Sequence, residues 1–234
     1  MPLILALDTT GEHGSLALLH SGYDRPPGLS GTQTGTPLLL EQRPLHAPDG
    51  YGQMLYSEIA GLLERHAVRL LDVDCFAAAS GPGTFTGVRV ALACIKGLAE
   101  AQQRPAVAVS NLEAIAWHGS AHLRAVAIDA RRGDVYGAVY DETGNAVSEE
   151  VVAKPAAWLA SLPAGVGEFL LHNVSLDLSG TRFADVPVSE APLALAHAIA
   201  AIAAERLARG EACDPAALDA NYIRRSDAEL ALKV

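Results

Sequence analysis

Recognisable catalytic and metal-binding motifs are lacking in this 234-residue chain, although it contains eight histidines. The three cysteines, Cys75, Cys94 and Cys213, are too far apart to form a metal-ligand spacing, which favours reduced thiols in a cytoplasmic protein. The sequence contains no HExxH pair and no serine in a GxSxG elbow. No apolar run is long enough to cross a bilayer, and no signal pattern precedes the first strand, so no membrane association is expected.

Positive charge is also in short supply. The chain has 17 Lys and Arg against 27 Asp and Glu, a net charge of −10, which argues against binding nucleic acid on its own. Because net charge is an average, it is compatible with a local basic edge at Arg224 and Arg225. The sequence around Tyr222, Arg224 and Arg225 favours a solvated tail, with a docking edge as the alternative.

The sequence is organised around a glycine-rich turn between a buried strand and a long helix, within Ser80–Ala101. Gly81 and Gly83 allow a tight turn, and Thr84 and Thr86 are candidate N-caps. A helix N-terminus after a strand can bind phosphate, so Gly81, Gly83 and Thr84 are candidate phosphate-facing residues. A plain strand–turn–helix corner is the alternative, because the glycine spacing matches neither GxxxxGK[ST] nor GxGxxG.

The chain begins with a predicted hairpin of strands 3–7 and 15–19. Its tip carries Asp8, Thr9 and Thr10, which could face a phosphate or hydrated metal, or could simply form the turn. A loop rich in Gly, Pro, Ser and Thr occupies residues 21–37.

The opening pattern recurs half a chain later. When LALDTTGEHGSLALL is set beside VAIDARRGDVYGAVY, Asp8 aligns with Asp129 and Ala6 with Ala127. This weak repeat predicts two similar α/β lobes. Asp8, Asp129 and the adjacent Arg131 could then meet a nucleotide in a cleft, although no general base or nucleotide pocket can be assigned.

Two helices of the first half, over residues 51–67 and 84–101, have wide apolar faces. They cover either their own sheet or a partner protein, and small side chains on the second helix would let a partner helix approach closely. The candidate partner-binding residues are Tyr51, Met54, Leu55, Ile59, Leu62, Val88, Ala91, Leu92 and Ile95.

Four segments resemble the TsaB (YeaZ) family: ILALDTT, SGPGTFTGVRVALACIKGLA, AVSNLEAIA and AIDARRGDVYGAVYD. The resemblance implies the actin-like ATPase (ribonuclease H-like) fold, α/β with two lobes of duplicated βββαβα topology. The N-terminal lobe would be residues 1–109 and carry the partner helices. The C-terminal lobe would be residues 110–234, and its last helix could pack back on the N-terminal lobe.

The resemblance also implies a function. Family members are non-catalytic partners of TsaD, which transfers a threonylcarbamoyl group to N6 of adenosine 37 in tRNAs reading ANN codons. The ATPase TsaE joins the complex, tRNA is contacted only through the complex, and the partner surface can form homodimers when TsaD is absent. No cofactor is expected in this chain, and binding of ATP at the interface of the complex is the alternative.

One local difference supports the non-catalytic interpretation. Where the catalytic paralogue has two metal-binding histidines four residues apart on a helix, this chain has Asn111 and Ile115, so neither a metal site nor catalytic residues are expected. The alternatives are an actin-fold phosphotransferase or ATPase that uses Asp8 and Asp129, and a metallo-glycopeptidase, which the missing histidines disfavour.

Overall fold

The computed structural model describes residues 1–24, 32–33 and 35–224. Part of the predicted loop over 21–37, and Arg225, lie outside the described residues. The chain divides into two compact units. Unit 1 comprises Met1–Ala114 and Leu193–Ala220, and unit 2 comprises Ile115–Pro192 with the segment from Asn221. No helix within the described part of the chain is long and apolar enough to cross a membrane.

Unit 1 is built on a five-stranded mixed sheet in the order β5-β2-β1-β6-β7. β1, β2 and β5 pair antiparallel, whereas β6 and β7 continue the sheet parallel to β1. A separate short ribbon pairs β3 with β4. The strands are β1 Leu3–Asp8, β2 His13–His20, β3 Tyr23–Asp24, β4 Thr32–Gln33, β5 Leu38–His46, β6 Cys75–Ala79 and β7 Ala106–Val109. The helices that begin in unit 1 are α1 Leu55–Arg65, α2 Phe85–Gln102 and α3 Asn111–Ala116, with a 3-10 turn at Leu70–Asp72.

The central strands explain why this sheet needs a cover on both sides. All six residues of β1 and all five of β6 are buried, so these strands read as continuous apolar runs without alternation. α1 and α2 contribute their apolar residues to the core cluster that also contains Leu5, Leu7 and Phe76.

Unit 2 repeats the arrangement with the sheet order β10-β9-β8-β11-β12. Its elements are β8 Leu123–Asp129, β9 Val135–Asp141, β10 Val151–Ala153, α4 Pro155–Ser161, β11 Glu168–His172 and β12 Val188–Glu190. The first three strands again pair antiparallel and the last two run parallel to the first. The predicted duplication is therefore confirmed. The repeat is incomplete, because residues 173–187, all of them described, contain no counterpart of α2.

The last helix, α5 Ala196–Ala208, belongs to unit 1 although it comes after unit 2 in sequence. The backbone N–H of Ala196 donates to Oγ of Ser15 at 2.9 Å, and Arg206 pairs with both carboxylate oxygens of Glu113 at 2.7 Å. Ten of its 13 residues are buried, so this alanine-rich helix is covered on more than one face.

The boundary of the predicted lobes is corrected accordingly. Residues 110–114 and 193–220, assigned by sequence to the C-terminal lobe, lie in unit 1. The last helix does pack on unit 1, as the resemblance allowed, because α5 is held by hydrogen bonds to strands that precede it by more than 150 residues. Glu113 has the spacing for a capping box with Ser110, but its carboxylate binds Arg206.

Candidate functional site

The tip of the first hairpin is buried. Asp8, Thr9 and Thr10 are 2%, 0% and 6% exposed. The backbone N–H and the hydroxyl of Thr10 both donate to Oδ1 of Asp8, at 2.9 and 2.7 Å. The Thr9 hydroxyl donates to the carbonyl of Gly87 at 2.7 Å, which joins the tip to the start of α2. A buried carboxylate with such partners is part of an internal network.

The glycine turn packs directly against this tip. The N–H of Thr84 donates to the carbonyl of Thr10 at 2.7 Å. A Cβ added at Gly83 would lie 2.6 Å from the Thr10 carbonyl oxygen, and one at Gly87 would overlap the carbonyl oxygen of Thr9. These glycines are therefore required for the close approach of two backbone segments.

The N-cap prediction for Thr84 is confirmed, because its hydroxyl accepts from the N–H of Gly87 at 3.2 Å. Thr86 lies inside α2. The N–H groups of Gly81, Thr84 and Gly87 have acceptors within the chain, so the turn offers fewer donors to an anion than the sequence suggested. The geometry fits a strand–turn–helix corner, and the phosphate-facing role of Gly81, Gly83 and Thr84 stays a prediction.

Asn111 connects the turn, the tip and α3. Its side-chain amide donates to the Thr10 hydroxyl at 2.8 Å, and its carboxamide oxygen accepts from the N–H of Gly81 at 3.0 Å. Its own N–H donates to the Gly81 carbonyl at 2.8 Å, and the residue is only 3% exposed. The sequence analysis named Asn111 only as a position that lacks a metal-binding histidine, and not as a structural link. An amide residue two positions after the end of the buried strand β7 was the available signal for this role.

The second hairpin tip has a different environment. Asp129 is exposed, and its Oδ1 accepts from the N–H of Arg131 at 2.8 Å. Arg131 and Arg132 are exposed and have left-handed φ angles of 60° and 57°. Asp8 and Asp129 thus belong to different units, and their hydrogen bonds to Thr10 and Arg131 lie within those units.

The C-terminal segment contacts unit 2 through Arg224. Its guanidinium donates to Oδ2 of Asp134 at 2.5 Å and to the carbonyl of Ala130 at 3.0 Å. Lys154 and, to a lesser extent, Arg224 hold the pKa of Asp134 below its usual range. The solvated-tail interpretation is therefore wrong for Arg224, while Tyr222 is half exposed.

The residues predicted to bind a partner lie in the core of unit 1 and not on its surface, which corrects the prediction. All members except Met54 are less than 9% exposed and belong to the core cluster of unit 1, because α1 and α2 direct these side chains at their own sheet. Met54 is partly buried against the same cluster. The buried members are Tyr51, Leu55, Ile59, Leu62, Val88, Ala91, Leu92 and Ile95.

A different face of α2 is open. Phe85, Arg89, Ala93 and Gly97 are all exposed and recur every fourth residue; we call them the α2 outer stripe. The Arg89 guanidinium lies 3.5 Å from the centre of the Phe85 ring. Beside the stripe, the side chain of Tyr56 in α1 is 63% exposed. It neighbours Cys94 of α2, and burial raises the pKa of the Cys94 thiol to about 11.

Comparison with known proteins places this arrangement in a family. A family model described as "TsaD: tRNA N6-adenosine threonylcarbamoyltransferase" matches residues 43–217, more than half of the chain. The chain is 31% identical over 160 residues to the tRNA threonylcarbamoyladenosine biosynthesis protein TsaB of Escherichia coli, covering 65% of this chain and 62% of that protein. The TsaB of Haemophilus influenzae is 34% identical over 138 residues, covering 57% and 51%. These matches span little more than half the length of the two relatives.

A solved structure, YeaZ from Pseudomonas aeruginosa, superposes with a TM-score of 0.73 at 29% identity, covering 95% of this chain and all of that one. Together with the two mixed five-stranded sheets, this match confirms the predicted actin-like α/β fold. The chain belongs to the TsaD-related family that the model describes, in its TsaB (YeaZ) branch.

Proposed function

We propose that this chain is a non-catalytic subunit of the machinery that makes threonylcarbamoyladenosine in tRNA, and that it binds and stabilises a TsaD-type catalytic subunit. One observation carries the proposal. At the two positions where the resemblance implies metal-binding histidines in the catalytic paralogue, the Asn111 carboxamide is hydrogen-bonded to Thr10 and Gly81, and Ile115 is completely buried. A hydrocarbon side chain cannot ligate a metal, so the residues at these positions support a non-catalytic role.

The α2 outer stripe is the surface proposed for the catalytic partner. An exposed ring at Phe85 offers an apolar anchor, and Ala93 and Gly97 would let a partner helix approach closely. A Cβ at Gly97 would meet nothing within 4 Å, so the space above this residue is open. The same stripe would serve a homodimer when the catalytic subunit is absent.

The remaining components are inferred from the family. The catalytic partner would transfer the threonylcarbamoyl group to N6 of adenosine 37 in tRNAs reading ANN codons, with a TsaE-like ATPase in the same cytoplasmic complex. The net charge of −10 supports tRNA contact through the complex and not through this chain. Under this proposal the chain carries no cofactor, and any ATP would bind at the interface.

The decisive experiment is threonylcarbamoyl transfer to a transcribed substrate tRNA, with the complete purified set and with this chain omitted. We expect omission to abolish modification and the chain alone to be inactive. Transfer that proceeds unchanged without the chain would contradict the proposal. So would ATP hydrolysis by the chain alone that Asp8→Asn removes, since this would support the phosphotransferase.

A charge on the α2 outer stripe tests the partner surface. We expect Ala93→Glu to fold normally, because Ala93 is exposed, and to lose binding to the catalytic subunit in a pull-down. Ala157→Glu on the exposed face of α4 is the matched control and should bind as the native chain does. Equal binding by both variants would exclude the stripe. Changes at Leu92 or Ile95 would test folding instead, since both side chains are in the core.

A further inference from the structure

Two histidines and a glutamate meet at one end of the β2–β5 strand pair. His13, the first residue of β2, lies directly opposite His46, the last residue of β5, in the antiparallel register. Their imidazole rings are stacked, with centroids 4.6 Å apart and planes at 22°. Oε1 of Glu12 lies 3.5 Å from Nε2 of His46. All three side chains are exposed, so each can turn toward a shared ligand.

The spacing of these groups suits a small cation. One ligand atom from each side chain lies within 4.8 Å of the other two. Bonds of about 2.0–2.2 Å to a tetrahedral zinc ion place its ligand atoms roughly 3.3 Å apart. The Glu12–His46 separation is already close to that value, and the His13 ring would have to rotate out of its stack on His46 to aim a nitrogen at the same ion. No other three such side chains among residues 1–24, 32–33 and 35–224 come this close.

The backbone beneath the cluster is held in place. The N–H of Ala47 donates to the carbonyl of Glu12 at 3.0 Å, which links the two strands beside the cluster. The Tyr51 hydroxyl lies 2.9 Å from the carbonyls of both Gly11 and Glu12. Gly14 makes room for this hydroxyl, since a Cβ there would lie 2.6 Å from it. The ligands therefore sit on a fixed frame, which lowers the cost of gathering them.

We propose that Glu12, His13 and His46 form a binding site for a divalent transition-metal ion of the Zn²⁺ type. Two imidazoles and one carboxylate are a donor set that suits Zn²⁺, Ni²⁺ and Cu²⁺ better than Mg²⁺ or Ca²⁺. Three protein ligands leave a fourth position for water or for a donor from another molecule. A bound ion would join β2 to β5 and stabilise that edge of the sheet.

The proposal is tested by calorimetric titration of ZnCl2 into the tag-free, chelator-treated chain. We expect one site per chain, and binding that is weaker by roughly tenfold or more in His13→Gln and in His46→Gln, since even outer-shell changes cost 10- to 100-fold. Zinc should raise the melting temperature of the native chain and not of these variants. Without metal the three proteins should melt alike, because both substitutions are on exposed strand ends.

His122→Gln is the matched control. His122 is an exposed histidine whose Nδ1 lies 2.5 Å from Oε2 of Glu142, so it supplies a histidine–glutamate pair without the cross-strand second imidazole. This variant should keep the native zinc affinity. In proton NMR, substoichiometric Ni²⁺ should broaden the His13 and His46 ring signals first. Zinc affinity unchanged in His13→Gln and His46→Gln, or uniform broadening of all eight histidines, would overturn the proposal.

Discussion

The two hairpin tips are the places where the duplicated units can be compared most directly. In both, an aspartate at the end of the first strand accepts a hydrogen bond from the N–H two residues later: Thr10 to Asp8 at 2.9 Å, and Arg131 to Asp129 at 2.8 Å. The same hydrogen bond recurs in two turns of different backbone conformation, since only the second has left-handed residues, at Arg131, Arg132 and Gly133. Asp8 is 2% exposed whereas Asp129 is exposed.

The difference arises in the segment after the fourth strand of each five-stranded sheet. In unit 1 the glycine turn and α2 come after β6 and close over the Asp8–Thr10 tip. In unit 2 residues 173–187, after β11, contain no such helix. The repeated aspartate is thus part of an internal network in one unit and a surface turn residue in the other.

Two glycines of α2 test how far the buried tip depends on close backbone packing. Gly87→Ala should destabilise the protein by about 3 kcal/mol, because the new Cβ would meet the Thr9 carbonyl. Gly97→Ala in the same helix should stabilise it by about 0.5–1 kcal/mol, since that position is open. Denaturant unfolding monitored by circular dichroism measures both. An unchanged free energy of unfolding in Gly87→Ala would show that the close approach of Gly87 to the Thr9 carbonyl is not needed for stability.

The two aspartates form the next pair. Asp8→Ala should cost about 1–3 kcal/mol, because the buried N–H and hydroxyl of Thr10 lose their acceptor. Asp129→Ala should change stability by no more than about 0.5 kcal/mol, as expected for an exposed turn residue. Thermal melts of the two variants beside the native chain give the difference. Similar losses at both positions would mean that the tips are energetically equivalent.

The smallest effect concerns Asp134, which holds the C-terminal segment on unit 2. Lys154 and Arg224 lower its pKa in the folded state, so its stabilising contribution is present above the unfolded aspartate value and is lost as the pH falls through the folded value. The melting temperatures of the native chain and of Asp134→Asn should therefore differ near neutral pH and converge in acid, below about pH 4. A difference in melting temperature that stays constant across the acid range would mean that the ionisation of Asp134 is not the source of the stabilisation.

Local patterns in the sequence determined most of the secondary structure, the duplication and the Thr84 cap. Hydrophobic periodicity and apolar runs depend only on residues close together in the sequence, so β1, β6, α2 and the Thr84 cap could be predicted. The aligned aspartates, Asp8 and Asp129, revealed the repeat. The same patterns identified the glycine turn as central, although its chemical purpose remained open. The two short strands β3 and β4, and β12, have little local signal and were missed.

Tertiary structure alone decided which face of each helix is buried and which distant groups meet. An apolar helix face is attractive to any apolar surface, so the sequence could not show that Leu92 and Ile95 cover their own sheet. The return of α5 to unit 1, the link from Asn111 to Thr10, and the meeting of His13 with His46 depend on strand register and chain path. Such long-range contacts leave no periodic trace in the sequence, because each joins residues that are neighbours only once the chain has folded.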